Sequence, residues 1–119
     1  MARYLRYVLL VLEATSLPLL LTTLLLIITG YAIMYPHAYS ALTLGALNYA
    51  NAQRIHTDPV IRLSFTTLAL IHGLTGTIIL IEKYMKHRLI KELIKSVVII
   101  ALLMLLALTV AIDFSRILR

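Results

Sequence analysis

The chain has 119 residues, of which 61% are hydrophobic and 13% charged, with no cysteine and a formal net charge of +6. A soluble domain is nearer half apolar and a quarter charged, so this composition excludes one and points to a bilayer. The missing cysteine excludes disulfides, iron–sulfur ligation and thiolate-bound zinc within the chain.

A membrane core of about 30 Å needs about 20 apolar residues per helix. Three stretches qualify, at residues 17–35, 60–81 and 93–112. The expected fold is therefore all-α, a single membrane-anchor domain over residues 1–119 with three transmembrane helices. Residues 1–12 are also apolar, but Arg3 and Arg6 are followed by Glu13 without a small-residue cleavage site. They read as the entry turns of the first helix rather than as a signal peptide.

After the first span, residues 36–58 carry Tyr39, Leu42, Leu44, Leu47 and Tyr49, too apolar for a freely solvated loop and too short of apolar run to cross. A short interfacial helix near residues 39–52 is expected. Asp58-Pro59 then opens the second helix, with aspartate near the N-cap and proline at the first helical position. The first two spans contain small and hydroxyl side chains such as Thr22, Thr29, Gly30, Thr67, Gly73 and Gly76, whereas the third is mostly large aliphatics. Small residues let helices approach closely, so the first two should face protein partners and the third more of the lipid.

Charge sets the expected orientation. Arg3 and Arg6, with Lys83, Lys86, Arg88, Lys91 and Lys95 around the second connection, fall on one side of a three-span chain; Arg54, Arg62, Arg116 and Arg119 fall on the other. An excess of Lys and Arg marks cytoplasmic loops, which puts the amino terminus in the cytoplasm of a cell whose plasma membrane holds the chain. With basic residues placed by topology and few aromatics between them, nucleic acid is not an expected partner.

His72 lies near the middle of the second span. An imidazole in hydrocarbon is costly unless it pairs, faces a cavity or binds a metal. Gly76, four residues on, shares its helix face and leaves room there for a flat, bulky group such as a haem. His37, His56 and His87 lie near the membrane surfaces and read as interfacial, solvated histidines. No hydrolytic triad, phosphate loop or zinc-spaced histidine pair is apparent in the sequence.

The run Phe65-Thr66-Thr67-Leu68-Ala69-Leu70-Ile71-His72-Gly73-Leu74-Thr75-Gly76, continued by Ile81-Glu82-Lys83-Tyr84, a basic loop and an aliphatic helix, resembles the smaller haem-b membrane anchor of succinate dehydrogenase and fumarate reductase, complex II. The resemblance covers about residues 60–112 and, loosely, Glu13-Ala14-Thr15-Ser16. It implies that His72 is one axial ligand of a haem b shared with a partner chain, that Gly76 makes room for it, and that Tyr84 lines a site for quinone, the substrate. It also implies a second membrane-anchor subunit, with an iron–sulfur subunit and a flavoprotein subunit docked on the cytoplasmic side. In that family an aspartate precedes the tyrosine; here the position is Lys83, and Glu82 is one residue earlier. Lys83, Lys86 or Arg88 could stabilise negative charge developing on the quinone. A cytochrome-b-like anchor of another respiratory complex and a redox-inert scaffold or assembly subunit are the alternatives.

Overall fold

The computed structural model describes the backbone of residues 2–118 and the side chains of residues 3–115 and 118. Arg116 and Arg119, counted above for orientation, have side chains outside the described residues. The fold is all-α: α1 (Ala2–Met34), α2 (Pro36–Leu42), α3 (Tyr49–His56), α4 (Pro59–Tyr84) and α5 (Arg88–Ile117). Among the described residues, α1, α4 and α5 are long and apolar enough to cross a bilayer. The chain is a membrane protein.

Continuous apolar sequence carries α1 through Pro18, which lacks the N–H that would bond the carbonyl of Ala14. Nearby hydroxyls bond back to their own helix, Thr22 Oγ1 donating to the Pro18 carbonyl at 2.9 Å. Local adjustments of this kind let membrane helices tolerate proline. α1 stops where Pro36 bars helical geometry at the residue before it, and Tyr35 adopts φ −128° and ψ 61°.

The single interfacial helix expected near residues 39–52 is instead two short ones. Between α2 and α3 the chain turns through Leu44 (φ 52°) and Gly45 (φ 88°), left-handed geometry that ends α2 and that glycine adopts without strain. Asn48 then restarts the helix as a cap, its Oδ1 accepting from the Asn51 N–H at 2.9 Å. Asp58 caps α4 as expected, Oδ1 accepting from the N–H groups of Val60 (2.9 Å) and Ile61 (3.1 Å), with Pro59 following.

α4 lies at the centre, packed against α1 on one flank and α5 on another, and the end of α1 also packs against α3. α1 and α4 run antiparallel, and their register fixes depth. His72, thirteen residues past Pro59 and twelve before Tyr84, meets Thr15. Thr15 is therefore level with the middle of α4, and the part of α1 beside α4 reaches well to the amino side of Leu17. The α1 apolar run exceeds one bilayer thickness, so composition alone does not choose which part sits at the centre. Pairing with α4 does.

Candidate functional site

The site is built around a threonine and a histidine 57 residues apart in sequence. Thr15 is buried against α4, and its Oγ1 lies 2.8 Å from the Val11 carbonyl and 3.1 Å from that of Leu12, one turn back. The same oxygen lies 3.2 Å from Nδ1 of half-buried His72. A hydroxyl has one proton to donate, and the α1 carbonyls take it. With that proton on a carbonyl, the oxygen is left to accept, an arrangement in which Nδ1 carries the ring proton and Nε2 the lone pair. Among the described residues Nε2 has no hydrogen-bond partner. A second group that fixes the distal ring nitrogen is what metal-binding histidines require.

The two glycines near the imidazole differ in their surroundings. Gly76 packs toward α1, where a Cβ would meet Leu12 Cδ1 at 3.7 Å. Gly73, adjacent to His72, is open, with nothing within 4 Å of a Cβ there. A Cβ at Gly76 would make only an ordinary contact there, and the open surface at Gly73 lies about 100° around the helix from His72. Among the described residues no cluster of three or more His, Asp or Glu side chains forms. His72 is a single donor, and a metal held by it would take its remaining ligands from a porphyrin or another chain. A held ring with a nitrogen that has no partner is what an iron donor needs.

The other expected site residues lie at the far end of α4. Tyr84 is exposed, and the Lys83 ammonium sits 5.2 Å from its ring centroid, a cation–π contact. Lys83 lines a groove of about 270 Å³ with Leu5, Leu9, Ile79 and Glu82, between α1 and α4. Tyr84 borders a separate groove of about 330 Å³ with Met85, Lys86, His87 and Ile90. The structure thus brings Lys83 and Tyr84 to each other but not to His72, from which Tyr84 is roughly 18 Å along the helix.

Three polar contacts escaped sequence reading. Glu82 is engaged by Lys91 at 2.7 Å and by Lys95, both from α5, so those lysines tie two helices together besides marking a membrane side. Arg62 of α4 pairs with buried Asp113 of α5. His56, expected to be solvated, is half-buried: its Nδ1 lies 3.0 Å from Oγ1 of fully buried Thr29, and its ring rests on Gly30. Thr29 sits fourteen residues from Thr15, close to the same α1 face, a spacing that hints at histidine-holding positions only once the partner helices are known.

No known protein family, curated protein or solved structure matches the chain.

Proposed function

We propose that the chain is a haem-b-binding membrane anchor of a quinone-linked respiratory oxidoreductase, of the succinate dehydrogenase or fumarate reductase kind. The observation that carries this reading is the Thr15–His72 pair, which holds an imidazole level with the middle of the apolar helix α4 and leaves its Nε2 without a partner among the described residues. A haem b bound there supplies one-electron transfer within the assembly. His72 would hold it through Nε2, Thr15 would orient the ring, and a second membrane-anchor subunit would supply the remaining protein ligand. Tyr84 donates its phenolic hydrogen to a quinone carbonyl, and the Lys83 ammonium offsets negative charge gathering on that oxygen. In this reading the Tyr84 end and the amino terminus face the cytoplasm of a plasma-membrane protein, where an iron–sulfur subunit and a flavoprotein subunit dock. The basic residues Lys83, Lys86, Arg88, Lys91 and Lys95 support that orientation.

The test is the reduced-minus-oxidised spectrum of the complex purified through a tag on this chain. A haem b band is expected, absent or shifted in His72→Ala while the subunits still co-purify. An unaltered band in the variant removes His72 from the haem site. Identification of the co-purifying subunits separates complex II from another respiratory complex.

A second reading, an inert scaffold, draws support from the contact of Gly76 with Leu12, since a histidine–threonine bond beside closely packed helices can serve as an interhelical clamp. Absence of any haem band from the intact complex selects it.

A further inference from the structure

Glu13 is an acidic side chain level with the middle of the apolar helix α4. It precedes Thr15 by two residues, about 3 Å along α1, and Thr15 is level with His72 at the midpoint of α4. Those two residues also turn the helix by about 200°, so Glu13 points away from α4, and it is exposed. Its face continues through exposed Leu17, Leu20 and Leu24, with Arg6 two turns toward the amino terminus.

Among the described residues Glu13 has neither an ion pair nor a hydrogen-bond partner. Among the described residues no Lys or Arg is at its level, and His72, which is, faces the other side of α1. Arg62 and Lys83 lie ten residues before and eleven after His72 on α4, and Lys91 and Lys95 are engaged by Glu82. Arg6 is about 10 Å away along the same helix. Ionisable side chains in hydrocarbon almost always pair or face a cavity, because lipid offers them no hydrogen bonds.

We propose that the Glu13 face of α1 docks a transmembrane helix of a different protein, one that carries an arginine or lysine near the middle of its span. The commitment to a cationic partner follows from charge complementarity. A second copy of this chain on the same face would bring another carboxyl group and no cation. The companion chain expected under the proposed function could supply this helix, but the inference needs no haem and stands if His72 proves to be a clamp.

The experiment places a photo-crosslinking amino acid at Leu17 of the full chain, expressed in its native membrane, with Met104 of α5 as the control position; Met104 is exposed on a helix that packs chiefly against α4. Expected is a heterologous adduct from Leu17 and not from Met104, whose crosslinked peptide is an apolar segment with an internal Arg or Lys. Its yield should drop at least about tenfold in Glu13→Ala. Exchanging charges, Glu13→Lys with the partner's basic residue made Glu, should restore it. Glu13→Gln, which keeps size and a hydrogen-bonding amide, shows whether loss follows charge if Glu13→Ala fails to insert, insertion being read by membrane-fraction abundance. Lipid-only adducts, an adduct of twice this chain's mass, or a heterologous adduct indifferent to the charge at residue 13 each overturn the proposal. Haem absorbance, read on the same membranes, reports separately on His72.

Discussion

A threonine in a membrane helix gives its single hydroxyl proton to a carbonyl one turn back, and the oxygen remains an acceptor. Thr15 does this for Val11 and holds His72 with what is left. If the imidazole is a metal donor, removing the acceptor frees the ring to rotate and to change tautomer. Thr15→Val should then weaken haem retention by about 10–100-fold, the usual consequence of deleting a group behind a metal-binding histidine. The direct packing cost is small, about 0.6 kcal/mol on average for an interhelical hydrogen bond in a bilayer and about 1.7 at most. Thr15→Ser, which keeps the hydroxyl, should restore retention, measured as haem remaining after transfer to apo-myoglobin. Equal loss in both variants would show that the hydroxyl is not what retains the haem. Tyr84 poses a separate question at the same scale. Tyr84→Phe removes one hydrogen bond worth about 0.5–1.5 kcal/mol, up to roughly tenfold in quinone affinity or rate. Quinone reduction should fall while dye-linked dicarboxylate oxidation and haem content hold, and a quinone titration unchanged by the variant would leave Tyr84 as an interfacial anchor.

Among elements, the α4–α5 hairpin is fastened near both ends, by Glu82 with Lys91 and Lys95 beside the connection and by Arg62 with Asp113 at the opposite end. Asp113 is only 4% exposed, so stripping away its guanidinium leaves a buried charge. Arg62→Ala should cost about 3–5 kcal/mol, whereas replacing both partners with apolar residues, Arg62→Met with Asp113→Leu, should cost much less. Detergent-induced unfolding followed by circular dichroism gives both numbers, and a double variant as unstable as the single one would show that the pair is not what Asp113 relies on. None of these fasteners was legible from sequence, because each joins residues on different helices and their charges also satisfy the rule for topology. The long helices were legible, since length and apolarity suffice to predict them, and so was the Asp58-Pro59 start of α4. The break between α2 and α3 turned on local geometry at Leu44, Gly45 and Asn48 that the overall Tyr and Leu content of the segment concealed. His72 stood out as the imidazole in mid-span. Thr15 did not, because a threonine in an apolar helix is ordinary until a histidine 57 residues away is placed against it. Gly76 and Gly73 were likewise indistinguishable until the azimuth of α1 around α4 was known.

At the scale of the whole molecule the three long helices form a slab, with α4 between its neighbours, extents of 56 × 33 × 20 Å and a radius of gyration of 18.4 Å. A compact soluble chain of this length would have a radius near 13–14 Å. The difference is the geometry of helices set by bilayer thickness and packed side by side, which leaves little interior: Thr29, Ala32 and Ala52 are fully buried, whereas Leu20, Leu103 and Met104 are exposed. Such a slab has two distinguishable ends. One gathers the Met85–His87 connection with Lys83, Lys86 and Arg88; the other gathers α2, α3 and the start of α4 with Arg54 and Arg62. Translocation of basic residues is disfavoured, so the first end should remain cytoplasmic. Single cysteines replacing exposed His87 and exposed Asn51, in a chain that has no native cysteine, report this directly. With a membrane-impermeant maleimide on intact cells, Asn51→Cys should label at once and His87→Cys only after permeabilisation. The reverse order would turn the molecule over, moving the Lys83–Tyr84 end away from any cytoplasmic flavoprotein and iron–sulfur pair. Labelling of both from the same side would mean that α4 does not cross the membrane, and the depth assigned to Thr15, His72 and Glu13 would go with it.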